Sequence, residues 1–374
     1  MKDILRIADV NLNRAREGLR IIEEMARFKL ADSGLTAAIK DLRHRLSRLE
    51  QDFPGGRADL IAARDTANDI GALTWEPRER RSFLDTAGAN WKRVQEAARV
   101  LEELARGFDP PLAHRIKEIR FEAYTREQEF TAQLYARQRS AVIGEAGLYL
   151  VIGSENTKGR PLLNVVSEAI SGGVRVVQLR EKNAEASEIL PLAHSLATLC
   201  RQSGVPFIIN DRVDIACAVE ADGVHLGQDD LPIEEARRIL GWSKVIGLST
   251  HSMEEALDAE ERGADYIGVG PVFTTPTKEG RRAVGLNLVR AASRKVRIPF
   301  VAIGGIDQEN SKEVLQAGAR HIAVVRALGH APDVYAAAKT LSGTIKKYWR
   351  DTIESDVCGL AEPGDTGDGA GGRS

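Results

Sequence analysis

Cysteine is scarce: three residues in 374, Cys200, Cys217 and Cys358. They are too few and too scattered for a disulfide framework or a cysteine-built metal cluster. Long apolar runs are absent as well, none approaching the ~20 residues of a membrane span. The opening Met1-Lys2-Asp3, with charges recurring every few positions, lacks the apolar stretch of a secretion signal. A cytoplasmic protein without a membrane partner is expected. An excess of one charge is missing too, with 52 Lys+Arg against 54 Asp+Glu, so no nucleic-acid footprint is expected either. What remains is ordinary globular material, 43% apolar and 28% charged, with enough length for two domains and spare segments.

The material is not uniform. Residues 1–140 hold 26 Lys+Arg, 21 of them Arg, against 23 Asp+Glu, while the remainder is net acidic. We expect a helical domain over 1–138, a second domain over 139–350, and a disordered tail over 351–374. The tail expectation rests on the glycines that crowd residues 359–374.

The first domain reads as a repeat. Leu12, Ala15, Leu19, Ile22 and Ala26 step by three and four, marking one face of an α-helix. Shifted by 79 residues the pattern returns as Trp91, Val94, Ala98, Leu101 and Ala105. Its polar positions return with it: Asn11, Arg14, Glu17, Arg20, Glu23, Glu24 and Arg27 reappear as Asn90, Arg93, Glu96, Arg99, Glu102, Glu103 and Arg106. A second helix agrees at a shift of 77, with Ile39–Arg43 against Ile116–Arg120. The expectation is a duplicated helical hairpin forming an all-α bundle about a pseudo-twofold axis. Arg20–Glu24 and Arg99–Glu103 are spaced as i,i+4 ion pairs, which by itself implies only a solvated, salt-bridged face. That reading leaves unexplained why a lightly constrained face survives duplication. Turn residues in 52–56 and the run Arg64–Gly71 suggest an ordered loop between the copies. No G-x-x-x-x-G-K-[ST] phosphate loop occurs in this half.

From about residue 146 the texture changes to short β-rich runs alternating with amphipathic stretches. The runs are Leu148–Ile152, Val174–Leu179, Pro206–Asn210, Gly223–Leu226, Val245–Leu248, Tyr266–Val269, Pro299–Ile303 and His321–Val325. Eight strand–helix units in about 200 residues match a (β/α)8 TIM barrel. An open doubly wound sheet would have fewer strands and a Gly-rich turn after the first, whereas here Gly304-Gly305 follows the seventh. In such a barrel chemistry belongs at the C-terminal ends of the strands, and polar residues gather there. They include Gln178-Leu179-Arg180-Glu181-Lys182, Asn210-Asp211-Arg212, Gly227-Gln228-Asp229-Asp230, Ser249-Thr250-His251 and the stretch 270–278. The opposite rim has only ordinary turns.

Read as chemistry, that rim offers cations (Arg180, Lys182, Lys278) and carboxylates (Asp211, Asp229, Asp230), but no Cys or Ser with an obvious activating His. His225, between Val224 and Leu226, reads as a wall residue and His251 as a supporting group at the rim. Carboxylates from neighbouring strands suit Mg²⁺, and three cations around it suit a diphosphate. The turn after strand seven and the end of strand eight form the usual phosphate corner of this fold. The site is therefore expected to hold a diphosphate and a monophosphate.

At these residues the sequence resembles the thiamine phosphate synthases. Residues 178–182, 208–212, 221–231, 270–278 and 301–306 carry the resemblance, in order and at the family's spacing, within roughly 146–330. It implies condensation of hydroxymethylpyrimidine diphosphate with thiazole phosphate to thiamine phosphate and diphosphate. It implies Asp211 and Asp230 as Mg²⁺ ligands, and Arg180, Lys182, Asn210 and Lys278 as diphosphate and pyrimidine contacts. Gln178 and Ser249 would face the pyrimidine, while Thr275, Thr277, Gly305, Val325 and Arg326 would receive the thiazole phosphate. Thr274 stands where the family often has proline, and Arg326 where some members carry serine. With no strong base or nucleophile placed, catalysis is expected to rest on ionising the diphosphate and delocalising the cation over the aminopyrimidine ring.

The N-terminal repeat, through 11–20 and 65–71, resembles the helical domain fused to this synthase in some bacteria and proposed to phosphorylate the pyrimidine monophosphate. That implies a bifunctional chain with ATP as a further partner, although no kinase chemistry follows from the residues themselves. The rival for this domain is an oligomerisation or scaffold module, and a homo-oligomer stays open. For the barrel the rivals are a thiazole tautomerase-like isomerase and a non-catalytic binder of a phosphorylated ligand. Both are expected to lack the full set Asp211, Asp230, Lys182 and Lys278.

Overall fold

The computed structural model describes residues 1–66, 82–144, 147–275 and 282–359. The chain divides into two compact units, Met1–Arg137 and Gln138–Ser374. Among the described residues no helix is long and apolar enough to cross a membrane.

The first unit is built from α1 (Lys2–Glu24), α2 (Ser33–Arg48), the short α3 (Gly56–Ala62), α4 (Phe83–Arg106) and most of α5 (Pro110–Gly144). The faces expected to be apolar are the buried ones: Leu12, Ala15, Leu19, Ile22 and Ala26 on α1, and Trp91, Val94, Ala98, Leu101 and Ala105 on α4. The two helices approach closely at Gly18, where an added Cβ would come within 2.9 Å of Val94 and 3.0 Å of the Asn90 carbonyl. The second helices of the copies start alike. Asp32 accepts the Leu35 N–H at 2.8 Å and Asp109 accepts the Leu112 N–H at 2.9 Å, each satisfying a donor that the first turn leaves open.

The second unit is a closed parallel barrel in the order β1 to β8. Its strands are β1 (Leu148–Ile152), β2 (Val176–Leu179), β3 (Phe207–Asn210), β4 (Gly223–Leu226), β5 (Val245–Thr250), β6 (Tyr266–Val269), β7 (Phe300–Ile303) and β8 (His321–Val324). The helices around it are α6 (Leu162–Ser171), α7 (Ala186–Gln202), α8 (Val213–Ala218), α9 (Ile233–Leu240), α10 (Met253–Glu261), α11 (Gly285–Lys295), α12 (Ser311–Gln316), α13 (Arg326–Gly329) and α14 (Val334–Gly359). β5 continues beyond Leu248 because Ser249 and Thr250 pair with Gly268 and Val269, and the Thr250 hydroxyl donates to the Gly268 carbonyl at 3.0 Å. α14 runs past residue 350, so the beginning of the expected tail is helical; residues 360–374 lie outside the described residues.

Each strand is buried on both faces, which is why it reads as a near-continuous apolar run. Tyr149, Val151, Val176, Ile208, Val245, Tyr266, Val301 and Ala323 fill the interior, together with Ile143 from the end of α5. Their neighbours in sequence, such as Leu148, Leu150 and Ile152, pack outward under the helices. Arg139 and Asp265, 7% and 4% exposed, pair at 2.7 Å, and Arg237 binds the other oxygen of Asp265 at 2.6 Å.

Candidate functional site

The C-terminal ends of the strands surround a cavity of about 330 Å³, a size suited to small-molecule ligands. Gln178, Arg180, Asn210, Ser249, Thr275, Gly305, Val325 and Arg326 all line it. Six different strand ends thus deliver expected site residues to one space. Thr277 and Lys278 lie outside the described residues.

The remaining expected residues gather beside Arg180. Asp211 occupies the left-handed region, φ 62°, and donates its N–H to the His225 carbonyl at 2.9 Å. Asp tolerates that backbone better than most residues. Burial pushes the Asp211 carboxyl up to about 6, helped by its hydrogen bond with Asp230 and by the Asp230 charge. Lys182 and Arg180 pull it the other way. Asp230 in turn accepts the Gly227 N–H at 2.6 Å, and Asp229 is exposed. Two carboxylates held together with two cations at hand are a chemistry that could take up a hard divalent cation together with an anionic substrate.

The corner after β7 is set by glycine. Gly304 and Gly305 have φ of 103° and 66°, and a Cβ on them would come within 2.5 Å of Pro271 and 2.8 Å of Phe273. Only glycine lets the loop after β7 press onto the loop after β6, where Phe273 donates its N–H to the Gly304 carbonyl at 2.9 Å.

Beneath this rim Tyr149 and Tyr266, which no motif marks, join Gln178, His225 and Ser249. Gln178 Nε2 donates to the Tyr149 hydroxyl at 3.0 Å, and the Tyr149 and Tyr266 hydroxyls meet at 2.9 Å. Tyr266 then reaches His225 Nδ1 at 2.9 Å, and His225 Nε2 reaches the Ser249 hydroxyl at 3.0 Å. Tyr149, Tyr266 and His225 all line the cavity, so His225 is a wall residue with hydrogen-bonding work. Room for these rings comes from Gly247, where a Cβ would fall 2.2 Å from Tyr266 and 2.6 Å from His225. The signal available in the sequence was strand alternation, which puts Tyr149 with Val151, and Tyr266 with Gly268, on the inward face. His251 bonds through Nδ1 to the Gly270 carbonyl and donates its N–H to Glu255 at 2.7 Å, a supporting arrangement at the rim.

The thiamine-phosphate synthase of Nostoc punctiforme is 46% identical over 328 residues, covering 87% of this chain and 89% of that protein. The chain belongs to the thiamine-phosphate synthase family. The corresponding enzyme of Thermosynechococcus vestitus is 44% identical over 339 residues, 90% of this chain and 93% of that protein. Alignments of that length exceed the barrel alone, so these thiamine-phosphate synthases share both parts of the chain. A family model described as thiamine monophosphate synthase matches residues 148–328, and the ThiD2 family model matches 6–129. Among solved structures, thiamine phosphate pyrophosphorylase from Pyrococcus furiosus aligns with a TM-score of 0.51 at 40% identity, over 57% of this chain and 98% of that one. The chain is thus an enzyme of thiamine biosynthesis, a thiamine-phosphate synthase joining a pyrimidine to a thiazole.

Proposed function

We propose that the cavity holds both substrates, with the pyrimidine between Gln178 and Ser249 and the thiazole phosphate at the Gly304–Gly305 corner. Arg180, Lys182, Asn210 and Lys278 receive the diphosphate; Thr275, Thr277, Gly305, Val325 and Arg326 receive the monophosphate. The observation that carries this reading is the convergence of eight such residues on one cavity, with Arg180 next to the carboxylate pair.

The Asp211–Asp230 pair fits Mg²⁺ because a divalent cation would offset both the burial and the Asp230 charge that push Asp211 upward. When bound, it would supply positive charge that stabilises the departing diphosphate. The residues of the chain do the rest. Arg180, Lys182 and Lys278 hold the diphosphate oxygens as the bond from the pyrimidine methylene to oxygen breaks and the electron pair leaves with the diphosphate. The aminopyrimidine ring carries the positive charge until the thiazole nitrogen attacks, and the largely apolar walls keep water from competing. Asp211→Asn and Asp230→Asn test the assignment. Each should raise the Mg²⁺ needed for half-maximal turnover at least about tenfold while the barrel stays folded. Unchanged Mg²⁺ dependence in both would remove the metal assignment.

For the helical unit we propose pyrimidine phosphate kinase activity, transferring the γ-phosphoryl group of ATP to the pyrimidine monophosphate and so feeding the barrel. The ThiD2 match supports it. A scaffold role is favoured by one observation: Arg20 and Arg99 are each paired with two carboxylates of their own helix. Incubation of the full chain with the monophosphate, ATP and thiazole phosphate decides between them. Thiamine phosphate formation supports the kinase, and its absence while the diphosphate is still consumed leaves the scaffold.

A further inference from the structure

At the rim of the cavity the loop after β1 is pinned to the turn after β8. Gly329 admits the approach, since a Cβ there would fall 2.2 Å from the Asn156 carbonyl oxygen. Arg160 fastens it, donating through Nη2 to the Gly329 carbonyl at 2.8 Å and through Nε to the Thr157 carbonyl at 3.3 Å. Those partners are neutral, so the guanidinium keeps its full charge. Beside it Lys158 is exposed and held in the left-handed region, φ 53°, while His330 donates its N–H to the Arg326 carbonyl at 2.9 Å. The carboxylates of this region are engaged elsewhere. Glu155 lies 3.8 Å from Arg180, Asp307 accepts the Glu309 N–H at 2.9 Å, and Asp333 accepts the Ala336 N–H at 2.8 Å. Among the described residues none of them forms a salt bridge with Lys158, Arg160 or Arg326. His330 senses the excess: burial lowers its imidazole first, and the charges of Lys158, Arg326 and Arg160 lower it further. Like charges gathered in this way repel until an anion arrives. Arg326 lines the cavity, whereas Lys158 and Arg160 stand outside its lining. A monophosphate at the corner engages Arg326, and the group as a whole offers more positive charge than that ligand uses.

We propose that Lys158 and Arg160, together with Arg326, form an outer anion seat for the terminal phosphate of a diphosphate ester whose first phosphate occupies the Gly304–Gly305 corner. The inference rests on the thiazole phosphate lying at that corner, as proposed above. The ligand class follows from continuity. The product carries its phosphate at the end of the thiazole side chain, so a second phosphate joined to the first extends away from the ring, out of the corner and toward the rim. There it meets a guanidinium and an ammonium, both suited to phosphate oxygens. The ester of this kind that keeps the rest of the product unchanged is thiamine diphosphate. It binds the synthase more tightly than thiamine phosphate does and excludes thiazole phosphate. Further phosphorylation of the product thus turns it into an inhibitor of the enzyme that made it.

Initial rates of the full chain are measured with thiazole phosphate varied, against thiamine phosphate and against thiamine diphosphate, at fixed free Mg²⁺ and ionic strength. Both esters should compete with thiazole phosphate, the diphosphate with an inhibition constant at least about tenfold lower. Lys158→Gln and Lys158→Glu alter an exposed side chain. They should raise the constant for the diphosphate about threefold and about tenfold, and leave that for thiamine phosphate within about twofold. Equal inhibition by the two esters in the wild type overturns the seat. A variant that shifts both constants by the same factor overturns it too, because a general change of field or fold does not single out the second phosphate. Inorganic diphosphate is the control for the other anion pocket: it should compete with the pyrimidine diphosphate and ignore Lys158. If the Lys158 variants weaken it as much as they weaken the ester, these cations serve the leaving group and the seat is overturned. Arg326→Ala tests the underlying placement separately. If it leaves the KM for thiazole phosphate and both inhibition constants unchanged, the corner assignment fails, whereas a raised KM with equal inhibition by the two esters sinks only the outer seat.

Discussion

Arg326 puts a guanidinium on the cavity wall at the start of a four-residue helix, next to the glycine corner. A cation that grips a spectator phosphate contributes equally to ground and transition states. Arg326→Ala should therefore raise the KM for thiazole phosphate about tenfold with kcat little changed. Lys278→Ala should do the opposite, lowering kcat more than it raises that KM, since its assigned partner gains charge as the bond breaks. Matching kinetic profiles for the two would merge the two anion pockets into one. His321 supports another test at this scale. It is 6% exposed, accepts the Gly147 N–H at Nδ1 at 3.0 Å, and burial, then Arg320, lowers it to about 4. Between its ordinary value of 6.5 and about 4 the unfolded chain takes a proton that the native one refuses. The stability it supports is complete above about pH 6.5 and is lost as pH falls toward 4, on the order of 3 kcal/mol. Urea melts from pH 7 to 4 should show a steeper loss in the wild type than in His321→Gln. The rim residues were legible in the sequence because they follow strand ends in order. Tyr149 and Tyr266 were not, since what joins them is ring packing between positions 117 apart that no local pattern records.

Among the elements, the duplicated charges acquire a reason that spacing alone withheld. Glu23 and Glu102 are buried, 7% and 1% exposed, and each is met by an arginine from the following helix: Arg43 at 2.7 Å, Arg120 at 2.9 Å. Burial raises the Glu102 carboxyl, but Arg120 and Arg99 outweigh it and hold the group below its ordinary value. The i,i+4 partners Glu24 and Glu103 are the solvated ones. Periodicity exposed the repeat, yet it could not separate the buried glutamate of each pair from its neighbour. Glu102→Ala should destabilise the helical unit by about 1.5–3 kcal/mol, since it removes the buried carboxylate that half-buried Arg120 binds, while Glu103→Ala should stay within about 0.5 kcal/mol. Chemical denaturation of the full chain compares them, and equal effects would remove the structural reason for the duplication. The change of shift from 79 to 77 also finds a cause. The first copy leaves α1 through a π-helical segment, Met25–Leu30, and a left-handed Ala31 before α2 begins, whereas α4 stops at Arg106 and α5 follows almost at once. The wider turn takes up the extra residues. Arg45 and Glu122, equivalent at the shift of 77, pair with each other, which puts that ion pair on the pseudo-twofold axis.

For the molecule as a whole, the order of strands and helices was readable because each barrel strand is apolar on both faces and each helix on one. The division between the units, at 137 and 138, lies one residue from the expected boundary and falls inside the uninterrupted helix α5. Residues 138–144 are part of the barrel's own core, through Ile143 in its interior and Arg139 on Asp265. A chain beginning at 138 should keep synthase activity on the diphosphate. One beginning at 147 leaves Asp265 short of a buried partner and should melt several degrees lower, by roughly 3 kcal/mol or more; equal melting would deny that segment its role. The pairing of β1 with β8 has a consequence for synthesis on the ribosome. From the emergence of Ile152 until Val324 follows, the first strand has one edge that nothing in the chain can occupy. At ordinary elongation rates that interval is roughly 10–30 s. The helical bundle, closed by neighbours already made, has that time to fold, while the nascent sheet must avoid pairing with the chain on the next ribosome.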